Sequence, residues 1–329
     1  MTIHTRAPGR VNLIGDHTDY TGGMVMPMTI DRWTEIRGIP ADTISLHSED
    51  EPQPAELALD IADPQHVEPS WAKYVAGVVA EMQPYGGIHG TIVTDIPIGA
   101  GLSSSAALEL AVALALGFEG DALSLAQLCR RAEIRASGVP CGIMDQLVIA
   151  AGQANHALLI DCGDVTIEPI PIPDDVEIVV QFVAHRVLVG SAYAKRVAEC
   201  EMAEAEIGPL RHATLHDTLS ITDPVIRARA QHVVSENERV REFAQLLAGG
   251  DLAAAGVLMV ASHTSLRDLY LTSTPVMDAA VEQLMQRRGV YGARMTGGGF
   301  GGCVVALTEP GALDDGWIVR AVDGAQRVK

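Results

Sequence analysis

Aromatic and basic residues are both scarce in this chain. Only 4% of its 329 residues are aromatic, with 3 Trp, 6 Tyr and 4 Phe, so its core must be built mainly from Ala, Val, Leu, Ile and Met. Lys and Arg number 23 against 42 Asp and Glu, which gives a formal net charge of −19. Because a surface this negative repels phosphate backbones and anionic lipid headgroups, we expect neither nucleic acids nor membranes as partners.

Long apolar runs and paired cysteines are also missing. The longest apolar run, residues 110–118, is far shorter than the ~20 residues that a membrane span requires. Residues 1–10 lack the apolar core of a secretory signal. The five cysteines are scattered without C-x-x-C spacing, which fits neither a disulfide framework nor a zinc site. We therefore expect a reduced, cytoplasmic, globular protein.

The order of predicted elements favours an α+β fold. Gly and Pro bound short strands in the first third of the chain, at residues 11–14, 24–28 and 89–94. Capping residues and apolar patterns predict helices at residues 103–116, 124–137, 142–151, 191–207, 223–248, 251–266 and 275–288. A Pro- and Asp-rich stretch, residues 168–175, is predicted to link two domains. Regular β-α-β alternation is absent, which argues against a doubly wound sheet.

A glycine- and serine-rich segment opens one of these helices. Residues 97–107 have the sequence PIGAGLSSSAA, in which the glycines allow tight turns and an Ala-rich helix follows the hydroxyls. The N-terminus of such a helix offers free N–H groups and partial positive charge to an anion such as phosphate. The segment lacks the Lys of a Walker loop and the spacing of a dinucleotide fingerprint. A turn that only caps a core helix remains the alternative.

Three other segments concentrate polar residues or glycine. Residues 7–20 (APGRVNLIGDHTDY) hold enough donors and acceptors to bind a polyhydroxylated molecule, although a surface loop is an alternative. Residues 296–303 (TGGGFGGC) suit either close backbone approach to a ligand or a flexible hairpin. In residues 141–146 (CGIMDQ), Asp145 fits a helix cap or a catalytic carboxylate, while Glu133 in the preceding helix fits a solvated position.

In this order, the four segments resemble the GHMP small-molecule kinases. Residues 9–23 (GRVNLIGDHTDYTGG) resemble the signature of the galactokinase family in particular. Further similar stretches are residues 232–240 (HVVSENERV), 262–270 (SHTSLRDLY) and 292–303 (GARMTGGGFGGC). The resemblance covers most of residues 5–325.

The resemblance implies a two-domain architecture with the active site in the cleft between the domains. Residues 1–170 would form an N-terminal α/β domain and residues 171–315 a ferredoxin-like C-terminal domain. Residues 316–329 would form a final strand that returns to the N-terminal domain. The resemblance also implies a monomer or weak homo-oligomer.

The implied activity is ATP- and Mg²⁺-dependent phosphorylation of the C1 hydroxyl of galactose. Asp145 would accept the hydroxyl proton, and Arg10 would keep that carboxylate ionised. Ser105 and Glu133 would hold Mg²⁺, a cation that prefers oxygen ligands. The residues expected to bind the sugar are Asp16, His17, Asp19 and Tyr193. The residues expected to bind ATP are Trp71, Gly99, Gly101, Leu102, Ser103, Ser104, Ser105 and Ala106.

One departure from the family pattern bears on the substrate. Position 16 is Asp where the family has Glu, which shortens the reach of the carboxylate by about one C–C bond. A kinase for N-acetylgalactosamine, arabinose or a deoxy sugar is therefore an alternative. A non-catalytic sugar sensor is a second alternative, but such relatives have a shortened phosphate loop, whereas residues 102–107 are complete here.

Overall fold

The computed structural model of the protein describes residues 2–185 and 189–328, the second range with side chains from residue 192 onward. Its strands are β1 Ile3–Ile14, β2 Met24–Ala41, β3 Ile44–Ser48, β4 Ala55–Leu57, β5 Gly87–Thr94, β6 His156–Asp161, β7 Thr166–Pro171, β8 Glu177–Ala184, β9 Val290–Met295, β10 Gly302–Thr308, β11 Trp317–Val319 and β12 Gln326–Arg327. Its helices are α1 Ala72–Met82, α2 Ser104–Ala115, α3 Ala122–Ser137, α4 Met144–Ala151, α5 Val189–Ile207, α6 Pro224–Gly249, α7 Leu252–Ser265 and α8 Pro275–Met285.

Two separate sheets organise these elements. The first has the order β12-β1-β2-β5-β3-β4, and β6 and β7 extend it from the beginning of β2. Its pairs are antiparallel except β3 with β5, and helices α1 to α4 pack into its core. The second sheet is antiparallel with the order β11-β8-β10-β9. The α+β class and the two-domain architecture expected from the sequence are therefore confirmed.

Local capping chemistry explains where the helices begin. Asp223 accepts the Val225 N–H at 2.7 Å, with Pro224 at the first helical position of α6, as predicted. At α3 the prediction was wrong, because Ser124 lies inside the helix rather than at its cap. The carboxylate of Asp121 accepts the Ser124 N–H at 2.7 Å and moves the start of the helix towards the N-terminus.

The predicted linker is partly a strand. Residues 168–171 belong to β7, which pairs with β6 in a hairpin of the first sheet. Proline is tolerated there because β7 pairs only with β6 and needs few ladder donors. The chain passes to the second sheet between Pro171 and Glu177, and the exact domain limits stay a prediction.

The final segment is divided between the sheets rather than forming one strand. β11 pairs with β8 of the second sheet, and β12 pairs with β1 of the first. Between them the backbone bonds to the end of α4 and the loop after it: Asn155 N–H donates to Ala321, Gly324 N–H to Gly152, and Ala325 N–H to Ile149. These contacts interrupt a regular strand ladder.

In the part of the chain that the structure describes, every helix is too short or too polar to cross a bilayer. All five cysteines are free, in agreement with their scattered spacing.

Thr29 gives a test of how the final segment is attached. It lies in β2 at 1% exposure, and its hydroxyl accepts the Val322 N–H at 3.2 Å and donates to the Val322 carbonyl at 2.5 Å. Thr29→Val leaves both backbone groups buried and unpaired, so we expect the free energy of unfolding to fall by about 1–3 kcal/mol. Urea unfolding measures this. Thr91→Val, on the exposed side of β5, is the control, and an equal loss in both variants would contradict the assignment.

Candidate active site

A cavity of about 580 Å³ brings together residues that are far apart in the sequence. Of the predicted site residues, those that line it are Arg10, Asp16, His17, Asp19, Trp71, Gly99, Gly101, Ser103, Ser104, Ser105, Glu133, Asp145 and Tyr193. Leu102 and Ala106 do not line it. Their side chains are 1% and 0% exposed in the core, which leaves only their backbone for a ligand.

Arg10 and Asp145 form a bidentate ion pair in the wall of the cavity. Arg10 Nε lies 2.7 Å from Asp145 Oδ1, and Arg10 Nη2 lies 2.7 Å from Oδ2. The third guanidinium nitrogen, Nη1, donates to the Gly101 carbonyl at 2.5 Å. This fork geometry fixes the orientation of the carboxylate.

Asp145 does not cap its helix. Ile143 occupies the cap position of α4, and Asp145 lies in the first turn with its carboxylate turned towards Arg10. The Ser103 hydroxyl also donates to Asp145 Oδ2. The helix-cap alternative is therefore excluded, and the carboxylate is available to the cavity.

The glycine- and serine-rich segment presents a helix end to the cavity. Ser103 occupies the cap position of α2 with φ 61°, and its side chain makes no capping bond to the helix. Ser104 and Ser105 form the first turn and line the cavity. The first N–H groups of α2 are thus directed at a space where an anion can lie.

Glu133 lies beside this helix end. It accepts hydrogen bonds from the Ser105 hydroxyl at 3.1 Å and from Gln146 Nε2 at 2.5 Å. Burial, and then the nearby Asp145 carboxylate, raise the pKa of Glu133 to about 7. In residues 2–185 and 189–328, no cluster of three or more His, Cys, Asp or Glu could hold a metal ion. The Ser105–Glu133 oxygen pair fits Mg²⁺, which commonly takes its other ligands from phosphates and water.

The signature loop, residues 15–23 between β1 and β2, carries three polar residues that line the other end of the cavity: Asp16, His17 and Asp19. Both carboxylate oxygens of Asp16 have protein partners: Arg294 Nη2 lies 2.6 Å from Oδ2, and the Gly297 N–H donates to Oδ1 at 3.0 Å. His17 Nε2 lies 3.3 Å from the Gly298 carbonyl. Residues 297–298 therefore pack against the signature loop. This contact gives the glycine-rich stretch, residues 296–303, a role in the site.

Asp19 reaches the cavity because Gly142 has no side chain. A Cβ at position 142 would lie 1.8 Å from Asp19 Oδ2, so a side chain there would displace the Asp19 carboxylate. Burial, and then the Asp145 carboxylate, raise the pKa of Asp19 to about 7. Tyr193 of α5 closes this end, with its ring centroid 5.4 Å from that of His17.

Several lining residues were missed by sequence reasoning. Ser48, Tyr74, Ile92 and Thr94 line the cavity together with Trp71, whose indole N–H donates to the Gln53 carbonyl at 3.1 Å. They come from β3, β5 and α1, where an ordinary pattern of strand and helix residues gave no signal. Gln146, which contacts Glu133, stood inside a segment of interest but carried no assigned role.

The chain matches three family models in succession. Residues 2–37 match the galactokinase galactose-binding signature, residues 72–153 the N-terminal domain of GHMP kinases, and residues 243–315 the GHMP kinase C-terminal domain. The first match contains the signature loop, and the second contains the N-terminus of α2, Glu133 and Asp145. The third contains the glycine-rich stretch.

Similar proteins include galactokinases from bacteria and mammals. The galactokinase of Chloroflexus aggregans is 43% identical over 337 residues, which cover 94% of this chain and 85% of that protein. The Homo sapiens galactokinase is 42% identical over 329 residues, with 93% and 83% covered. The crystal structure of Lactococcus lactis galactokinase complexed with galactose matches with a TM-score of 0.91 at 30% identity, over 99% of this chain and 95% of that one. The chain therefore belongs to the galactokinase family within the GHMP kinases.

Proposed function

We propose that this sugar kinase transfers the γ-phosphate of ATP to the C1 hydroxyl of galactose, with Mg²⁺, and releases galactose 1-phosphate and ADP. The observation that carries the proposal is the Arg10–Asp145 pair, which lies in one cavity with an uncapped helix N-terminus. A fixed carboxylate and an anion site are the two parts that such a transfer needs. The expected cytoplasmic location and monomeric or weakly oligomeric state remain predictions.

In this mechanism Asp145 is the base. As the sugar oxygen forms its bond to the γ-phosphorus, the bond from that phosphorus to the bridging oxygen of ADP breaks. The hydroxyl proton passes to Asp145. Arg10 keeps Asp145 aligned before the transfer, and its positive charge partly offsets the negative charge of the transferring group. The Ser103 hydroxyl restricts the carboxylate further.

Nucleotide binding would use the backbone more than charged side chains. Gly99 to Ala106 would surround the phosphates with N–H groups, including those of Leu102 and Ala106, and Trp71 would contact the adenine. Ser105 and Glu133 would hold Mg²⁺, which neutralises phosphate charge when bound. Asp16, His17, Asp19 and Tyr193 would surround the sugar.

A related sugar is the second candidate substrate, and the contacts of Asp16 favour considering it. The Asp16 carboxylate is held by Arg294 and by the Gly297 N–H. Since it is one methylene shorter than Glu and is bound on both oxygens, it has less freedom to reach a substrate hydroxyl. Modified or shorter sugars could therefore be tolerated at the position that a longer carboxylate would contact.

Asp145→Asn tests the proposed base. The amide has the size of the carboxylate but is a far weaker base, so it does not take up the hydroxyl proton. We therefore expect kcat to fall at least ~100-fold with the fold intact. A coupled ADP-release assay measures kcat, and circular dichroism checks the fold. Asp174→Asn, at an exposed position, controls for the change of charge. Near-normal turnover by Asp145→Asn would remove Asp145 from the mechanism.

A substrate panel tests the choice of sugar. We expect kcat/KM to be highest for galactose among galactose, N-acetylgalactosamine, arabinose and 6-deoxygalactose, with turnover that requires Mg²⁺. A value at least about tenfold higher for another sugar, or 1.4 kcal/mol at the transition state, would assign the alternative function. No Mg²⁺-dependent turnover on any of them would overturn the proposed activity.

Asp19→Asn tests the charge crowding at the sugar end. Asp19 has an ordinary pKa of 3.8 and a folded-state pKa of about 7, so its ionisation destabilises the folded state increasingly as the pH rises between these values. We expect the melting temperature of Asp19→Asn minus that of the wild type to increase from about pH 4 to about pH 7 and then level off. The control is Asp174→Asn, for which the difference should stay constant. A difference for Asp19→Asn that does not change with pH would contradict the proposed burial cost.

A further inference from the structure

Three tyrosines surround His17 in a chain that has only 6 of them. The ring centroid of His17 lies 5.9 Å from that of Tyr20, 5.4 Å from Tyr193 and 4.8 Å from Tyr270. Tyr193 lines the cavity, whereas Tyr20 and Tyr270 lie behind it. Two of the scarce aromatic residues are therefore placed where they contact His17 without lining the cavity.

For a neutral His17 ring, the donor of each hydrogen bond behind it follows from the acceptor of the bond before it. A carbonyl only accepts, so His17 Nε2 donates to Gly298 at 3.3 Å, and in the neutral ring Nδ1 is the acceptor. Tyr20 then donates to Nδ1 at 3.0 Å. Because the Tyr20 proton is used, Tyr270 donates to Tyr20 at 2.5 Å. Cys200, 3.1 Å from the Tyr270 hydroxyl, donates its S–H to complete the chain.

The members of this chain keep their protons at physiological pH. Tyr270 is fully buried and Cys200 is 1% exposed. Burial raises the pKa of Tyr20 and of Tyr270 well above the ordinary value of 10. Burial also raises the pKa of Cys200 to about 12. Each O–H or S–H donor in the chain is thus present and has one acceptor.

Tyr270 stands on a strained and well-supported turn. It ends a single π-helical turn, Leu266–Tyr270, after which Leu271 adopts the left-handed region with φ 56°. The next carbonyl, Thr272, accepts the Phe300 N–H at 2.8 Å. A Cβ at Gly299 would lie 2.4 Å from that carbonyl. The π-helical turn therefore packs directly on the glycine-rich stretch that contacts His17.

Two arginines hold this turn from the other side. Arg229 Nη1 donates to the Leu269 carbonyl, and Arg196 Nη2 donates to the Leu271 carbonyl at 3.4 Å. Both guanidinium groups also donate to Glu199 Oε2, at 2.8 and 2.6 Å. Carbonyls that a π-helical turn leaves without regular helical partners are satisfied in this way, and the position of Tyr270 is fixed.

We propose that Tyr20 and Tyr270 are positioning residues for sugar binding, which act by holding His17 in the Nε2–H tautomer with its ring aligned on the cavity. Both ring nitrogens then bind protein groups, and the ring itself forms the wall that the sugar contacts. The proposal rests on the proposed function in taking this end of the cavity as the sugar site. The described hydrogen bonds of His17, Tyr20, Tyr270 and Cys200 do not involve Asp145 or Arg10. The two tyrosines therefore act on substrate affinity rather than on the transfer step.

Kinetics of hydroxyl-deletion variants test the effect on affinity. Losing one buried hydrogen bond and leaving its partner unpaired should raise KM for galactose about 2- to 10-fold in Tyr20→Phe and in Tyr270→Phe. The kcat and the KM for ATP should stay within about twofold. The KM for galactose of the double variant should not exceed that of Tyr20→Phe. The Tyr20 change alone already removes the hydrogen bonds that link the Tyr270 hydroxyl to His17. Tyr85→Phe, at a fully exposed position, should match the wild type.

Other kinetic results would overturn the proposal. An unchanged KM for galactose in both single variants would do so, as would a fall in kcat alone or additive effects in the double variant. If Tyr270→Phe does not fold, Tyr20→Phe carries the test, because Tyr20 is only partly buried.

Nuclear magnetic resonance of the free protein tests the tautomer without sugar or turnover. Long-range ¹H–¹⁵N spectra, with His17→Gln to assign the ring signals, should show an unprotonated Nδ1 and a protonated Nε2 in the wild type. Tyr20→Phe should shift or broaden these signals, and Tyr85→Phe should not. A protonated Nδ1 in the wild type would overturn the proposal. If the wild type failed to phosphorylate any sugar, the proposed function would fall while this spectrum still decided the role of the tyrosines.

Discussion

The paired hydrogen bonds between Arg10 and Asp145 join three segments that are distant in the sequence. Arg10 belongs to β1, Asp145 to the first turn of α4, and the Gly101 carbonyl that Arg10 also binds belongs to the loop before α2. Arg10 is only 4% exposed, and a buried guanidinium is tolerated when a carboxylate compensates it. The same contact therefore fixes the fold around the cavity and aligns the proposed base, so the two requirements cannot be separated.

The second half of the molecule attaches to the same strand. Arg294, fully buried, donates to the carbonyls of Asn12 and Leu13 and pairs with Asp16. Thr296 exchanges hydrogen bonds with the backbone of Asn12. Near its end, β1 thus binds the loop before α2 through Arg10 and residues 294–296 through its backbone. A displacement of this strand would therefore change the positions of residues at both ends of the cavity.

Basic residues are scarce in the cavity, as they are in the sequence. Among the described lining residues, Arg10 is the one Lys or Arg, beside the acids Asp16, Asp19, Glu51, Glu133 and Asp145. In the proposed function, a polyanionic nucleotide would be bound by backbone dipoles, the end of α2 and a metal ion. The acidic composition argued against large polyanions as partners, and the proposed function requires that a small polyanion, ATP, is bound without many cationic side chains.

How far sequence could predict this arrangement depended on the range of the interactions. Asp223 with Pro224 predicted the start of α6, because capping involves neighbouring residues. The pairing of Asp16 with Arg294 and the meeting of Ser48 with Trp71 in the cavity wall depend on tertiary contacts that no local pattern encodes. The Pro-rich strand β7 was missed for the same reason, since its partner β6 overrides its poor strand propensity.

The division of the final segment has a consequence for the order of folding. β1 is synthesised before every other strand of its sheet and its edge partner β12 after all of them, while β11 completes the second sheet just before β12. The first sheet therefore keeps an open edge at β1 until β12 has been synthesised, although its other strands are already available. Unpaired edges favour association with other chains, so protection of β1 during synthesis is a requirement that this topology imposes on the cell.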